Sequence, residues 1–153
     1  MSKIRNIYQT IDPVIAGWMN RHGHFFLRVS MGVVFIWFGA LKFTGISPAN
    51  ELVAQTVYWF PPEVFIPVLG AWEALIGICL LIRPLIRVAI FLLLLQMPGT
   101  MLPLVLLPQV CFTQFPFGLT MEGQYIIKNL VLISAAIVIG GTVREQAKRR
   151  AYT

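Results

Sequence analysis

The stretch VFIPVLGAWEALIGICLLI, residues 64–82, carries one ionisable group, Glu73, in nineteen positions. At ~1.5 Å of rise per residue, a helix of that length nearly matches the ~30 Å hydrocarbon core of a bilayer. Glu73 then lies ~14 Å from either end, near the midplane. An uncompensated acid at that depth costs at least ~2.5–3.5 kcal/mol on insertion scales. The segment therefore implies a membrane crossing, and it requires a partner, a proton or a role for Glu73.

The rest of the chain agrees. It has 153 residues, 58% hydrophobic and 12% charged, with a mean hydropathy of +0.78. Those values exclude an ordinary soluble domain and a disordered one. Three more apolar segments of spanning length flank the first, so the expected spans are about 25–43, 64–82, 86–107 and 124–141. The turn Arg83-Pro84-Leu85 is short enough to make spans 2 and 3 an antiparallel hairpin. Span 3 contains Pro98, which removes a backbone hydrogen bond and predicts a kink there.

The net charge of +6 is topological, because most basic residues flank apolar runs; no nucleic-acid motif accompanies it. Lys3, Arg5 and Arg21 precede span 1, Arg83 and Arg87 bracket the 2–3 turn, and Arg144, Lys148, Arg149 and Arg150 follow span 4. The loops 44–63 and 108–123 carry Glu51, Glu63 and Glu122 and no basic residue. The positive-inside rule places both termini in the cytoplasm. Residues 1–24 have no apolar core of a cleavable signal, so span 1 does the targeting. Asp12 as N-cap and Pro13 at the first helical position predict a short interfacial helix over VIAGWM. The expected organisation is an N-terminal interfacial segment (1–24), a membrane domain (25–145) and a basic cytoplasmic tail (146–153). The fold class is all-α integral membrane, an antiparallel four-helix bundle.

Successive residues of a helix turn by 100°, which gives each span one small or polar face. Span 1 aligns Arg28, Gly32, Phe35, Gly39 and Lys42; span 2 aligns Gly70, Glu73, Ala74 and Gly77; span 3 aligns Gln96, Gly99, Thr100 and Pro103; span 4 aligns Gln124, Lys128, Leu132 and Ala135. Small residues admit close helix contact and polar ones avoid lipid, so these stripes are expected to face inward. Gly32, Gly39, Gly70, Gly77 and Pro98 are the structural candidates. Depth brings Glu73 within reach of Lys128, with Lys42 approaching from the end of span 1 and Gln96 near mid-depth; these four are the candidate ligand-binding residues. Each has a plainer role to set against that one: snorkelling for Lys42 and Lys128, an interhelical hydrogen bond for Gln96, a structural pair for Glu73. Arg28 reads as an anchor at the opposite edge, separate from the site. His22 and His24 make no metal site without further ligands, and Cys79 and Cys111 read as unpaired thiols. No catalytic residue is identified.

The segments FIWFGALKF (35–43), LGAWEALIGICLLI (69–82) and GQYIIKNLVL (123–132) resemble the corresponding stretches of DoxX-like membrane proteins, nearest their RclC/YkgB-type inner-membrane branch. The resemblance covers about residues 25–145 and carries Gly39, Lys42, Glu73, Gly77 and Lys128, with Asn129 where that branch has an acid. It implies a four-helix fold in a bacterial inner membrane. Its members are associated with quinone-linked sulfur oxidation, membrane oxidoreductase complexes and oxidant resistance. It implies no settled activity; the competing functions are, first, a non-catalytic membrane component linked to redox or oxidant stress; second, a quinone-binding subunit of an oxidoreductase; third, a small transporter, which the intramembrane charges support. The cofactor is open, with a quinone compatible. The partners are the lipid bilayer and a membrane or redox protein, with an oligomer compatible.

Overall fold

The computed structural model describes residues 2–151, with side-chain surroundings for residues 11–142. The chain is mostly helical, and four helices are long and apolar enough to cross a membrane. In order they belong to α1 (Ser2–Phe43), α3 (Pro62–Leu81), α4 (Ile86–Met101) and the α7–α8 pair (Met121–Ile127 and Asn129–Ala151). A 3-10 turn, Arg83–Leu85, joins α3 to α4; the side of the protein that carries it is called the turn end below. The opposite, loop end carries α2 (Asn50–Thr56), α5 (Pro103–Leu106), α6 (Pro108–Cys111) and a small hairpin. The side chains of the basic tail lie outside the described residues.

The tightest packing is between α1 and α3. Buried residues of α1 recur at Arg28, Met31, Gly32, Phe35, Gly39 and Lys42, and those of α3 at Gly70, Glu73, Ile76, Gly77 and Leu80, the spacing of one helical face. Two glycine pairs lock the antiparallel register. A Cβ on Gly39 would lie 2.5 Å from the Gly70 carbonyl oxygen, and one on Gly77 would lie 2.6 Å from that of Gly32. The backbones touch where no side chain intervenes, the usual basis of close helix association in lipid. Around them, Met31, Phe35, Ile76, Leu80, Ala89, Leu93, Ala136 and Ile139 form the core, joining α4 and α8 to the pair.

Four expectations need correction. The helix does not begin at Asp12: α1 runs without interruption through Pro13 to Phe43. A Cβ at Gly17 or Gly23 would meet nothing within 4 Å, so no contact turns the chain there. Span 3 does not run continuously to 107: Pro98 stays inside α4, and the helix breaks one turn later. Pro103 has no N–H, and Leu102 closes a short bond to the Gly99 carbonyl at 3.3 Å. Span 4 is broken at Lys128, where the Val131 N–H bonds back to the Lys128 carbonyl at 3.0 Å. The chain is also not wholly helical: Phe112–Gln114 pairs antiparallel with Gly118–Leu119 across a turn with a cis Phe115–Pro116 bond.

That hairpin sets the start of α7. The Thr120 hydroxyl accepts from the Gly123 N–H at 3.1 Å and donates to the Val110 carbonyl at 2.7 Å. A side chain at Gly123 would collide with the Cys111 carbonyl. Thr120 thus caps α7 while fastening it to α6.

Candidate functional site

Lys42 and Glu73 each lie three residues past a glycine of the same crossing, Gly39 and Gly70. Because the helices are antiparallel, the two are displaced in opposite directions, ~9 Å apart along the axis. Side chains on a helix tilt toward its N-terminus, so both lean back toward the crossing and toward each other. Lys42 Nζ meets Glu73 Oε2 at 2.6 Å, with the two side chains 4% and 11% exposed. From α4, Gln96 donates through Nε2 to Glu73 Oε1 at 3.1 Å. The carboxylate therefore receives one donor on each oxygen. The glycines bring the helices close enough for the lysine stem to lie between them: a Cβ at Gly70 would be 2.9 Å from Lys42 Cβ.

The expected pairing of Glu73 with Lys128 is not formed. Lys128 is exposed, and its ammonium makes no ion pair or hydrogen bond among the described residues. Lys42, for which snorkelling was the competing role, points into the core instead. Lys128 fails to reach Glu73 because the break in span 4 falls on it, and because a cavity of ≈ 880 Å³ separates the upper part of α7–α8 from α1 and α3. The inward stripes of spans 1 and 2 are buried as expected. Those of spans 3 and 4 are buried only in part: Pro103 and Ala135 are buried, Gly99, Gln124 and Lys128 are exposed, and the buried seam of α4 runs through Ile86, Ala89, Leu93 and Met97. Gln96 stands beside that seam, half-buried.

The cavity wall is mostly apolar, with Lys42, Thr56, Glu73, Gln96, Thr100, Lys128 and Asn129 among its polar members. The Thr100 hydroxyl is committed to the Met97 carbonyl at 2.8 Å. The Gln96 side-chain oxygen is buried and has no donor among the described residues. This orientation of the amide follows from Glu73, a pure acceptor when ionised, which takes the NH₂ group and leaves the oxygen over. Since Lys42 and Glu73 offset each other, Lys128 is the one charge on the wall without a counter-charge.

Two further wall residues carry no signal in the polar stripes. Trp72 donates a long hydrogen bond, 3.4 Å, to the Leu92 carbonyl and so ties α3 to α4 beside Glu73. Tyr125 packs at 6.2 Å between ring centres against Phe38 and closes the α1–α7 side. Both are aromatics among many, and only their contacts distinguish them. Arg28 stands apart from this cavity, as expected. His22 bonds only the Trp18 carbonyl of its own helix, at 3.1 Å, and no group of three or more His, Cys, Asp or Glu among the described residues could hold a metal. Cys111 is fully buried under the loop end; burial, with Glu122 nearby, holds its thiol pKa above the ordinary value.

Compared with known protein families, characterised proteins and solved structures, the chain has no significant match.

Proposed function

We propose that the protein is a DoxX-like four-helix bundle of a bacterial inner membrane, with both termini cytoplasmic, that binds an apolar small molecule carrying polar oxygen groups. A quinone is the class that fits best. The observation that carries the reading is the ≈ 880 Å³ cavity with Lys42, Glu73 and Gln96 together in one wall. That volume lies within the roughly 300–1,000 Å³ of small-molecule sites, and a mostly apolar wall with a few grouped polar residues is their usual composition. The distribution of basic residues supports the orientation.

In this reading Glu73, Lys42 and Gln96 are the fixed polar wall, and Lys128 is a donor that moves to the ligand's oxygen. Any electron donor or acceptor is a partner protein, since the sequence carries no motif for haem, flavin or metal. The test is organic extraction of the purified protein, followed by titration with a short-chain benzoquinone while following the fluorescence of Trp59 and Trp72, which both line the cavity. Saturable quenching that weakens in Lys128→Ala supports the reading. Absence of any bound or titrated quinone, together with full oxidant survival of cells carrying Glu73→Gln, would overturn it.

The second reading is a non-catalytic scaffold in which the Lys42–Glu73–Gln96 group only joins α1, α3 and α4. The shortness of the ion pair favours it. It requires that Lys128→Ala leave cellular function unchanged.

A further inference from the structure

Arg28 is 9% exposed, and one of its guanidinium nitrogens, Nη1, is buried with no hydrogen-bond partner among the described residues. A buried arginine donor left unmet is costly, and more so for a charged group. The glycine register places it. Gly32 packs against Gly77 and the Leu81 side chain, so Arg28, one turn before Gly32, stands near the last turn of α3. Its side chain leans toward the N-terminus of α1, which is the turn end. Arg83, exposed on the 3-10 turn that follows α3, stands at the same end. The Phe25 ring lies 5.8 Å from the guanidinium carbon and covers one side of it.

Two arginines thus stand at one end of the helix pair, and one of them has an unmet donor. A group that carries negative charge and several acceptor oxygens suits both. A phosphate does so, because the planar arginine fork donates to it in pairs. The turn end is also the side on which anionic lipids and basic residues meet in the proposed orientation. We propose that the inner ends of α1 and α3 form a binding site for the phosphate of an anionic phospholipid, held by Arg28 and supported by Arg83.

The full chain is reconstituted into nanodiscs of phosphatidylcholine, with or without a minority of phosphatidylglycerol. Retained lipid is measured by native mass spectrometry, and unfolding by temperature. The wild type is expected to retain phosphatidylglycerol preferentially and to unfold at higher temperature in its presence. Arg28→Gln is expected to lose about tenfold or more of that preference, the worth of one charge-assisted contact. If Arg28→Gln does not fold, Arg83→Gln, on an exposed position, is expected to weaken the preference severalfold.

An unchanged preference in both variants overturns the proposal. So does inorganic phosphate in pure phosphatidylcholine discs, if it reproduces the thermal shift, because the site then takes free phosphate and not a lipid. A third arm addresses α8, which carries Glu145. If Glu145→Gln destabilises the protein in pure phosphatidylcholine as much as Arg28→Gln does, with no added effect of combining them, Arg28 is paired within the chain and the proposal falls.

Discussion

The α1–α3 pair and the α4–α8 side of the protein are built on opposite terms. Along α1–α3 the backbones touch at two glycine pairs, and beside the Gly39–Gly70 pair Lys42 and Glu73 are buried and satisfied by each other. Between this pair and the upper part of α4, α7 and α8 the helices part around a cavity, and the polar residues there are left with unused donors and acceptors. The difference shows how a small membrane protein can hold a cavity open without collapsing. One helix pair supplies rigidity through backbone contact, and the other helices attach to its lower half through Ala89, Leu93, Ala136 and Ile139. Above that level the helices break at Leu102 and Lys128.

The comparison breaks most visibly at the ion pair. Glu73→Leu leaves Lys42 buried without its counter-charge, and removal of one partner of a buried pair costs ~3–5 kcal/mol. We expect a loss of that size in detergent unfolding titrations. Exchange of the charges, Lys42→Glu with Glu73→Lys, should recover most of it. The exchange of Glu73 with Lys128 should recover little, because those two side chains do not meet. Equal recovery by both exchanges would mean that the cavity closes in the membrane.

Next in size are the glycines. Gly39→Val places side-chain atoms against the Gly70 backbone and the Ala74 amide, the latter 2.7 Å from a Cβ there. Backbone cannot rotate away, so overpacking of ~1–3 kcal/mol follows. Gly32→Ala should cost less, because its nearest contact is the end of the flexible Leu81 side chain, at 2.7 Å. Gly99, with nothing within 4 Å of a Cβ, should tolerate alanine and gain up to ~1 kcal/mol of helix propensity. If Gly39→Val and Gly99→Ala behaved alike, the contrast between a closed and an open side would be wrong.

These residues also mark what the sequence made legible. The faces of α1 and α3 could be read because small and polar residues recur there at helical spacing, and both turned out buried. The stripes on spans 3 and 4 had the same spacing, yet Gly99, Gln124 and Lys128 are exposed while Pro103 and Ala135 are buried. Periodicity gives the direction of a residue on its helix and not the distance to the next helix. That distance depends on Pro103 and on the turn at Lys128, where the path of the chain is set by loop contacts such as Thr120 with Val110. Lys42 was placed beside the site as one of two partners. The sequence could not choose between them, because the choice rests on the tilt of both side chains toward one crossing and on a gap of ≈ 880 Å³ on the other side. The hairpin at 112–119 was missed because three-residue and two-residue strands leave no alternation long enough to read.

A smaller effect distinguishes the loop end from a loosely packed loop. Cys111 is buried, and its thiol pKa is raised, so less thiolate is present at neutral pH and the nucleophile is shielded. Maleimide labelling of the folded protein should be slow near pH 7.5 and should rise to the rate of a free thiol on unfolding. Rapid labelling of Cys111 in the native state, measured in a Cys79→Ala background, would show that the α6–hairpin–α7 unit opens readily.

Lys128→Ala has the smallest expected effect on stability, and it bears most directly on what the open side is for. The side chain is exposed and unpaired, so its removal should change unfolding by no more than ~0.5 kcal/mol. As the uncompensated charge on the cavity wall, it is nevertheless the group best able to orient a ligand oxygen, and hydrogen bonds to charged groups contribute ~1.5–3 kcal/mol. A loss of about tenfold or more in quinone affinity, with unfolding unchanged, would separate the binding role of the open side from the holding role of α1–α3. If affinity and stability both stayed at wild-type values, the cavity would owe nothing to Lys128. Any ligand orientation would then depend on Gln96, whose unmet oxygen asks for a donor and not for a carbonyl.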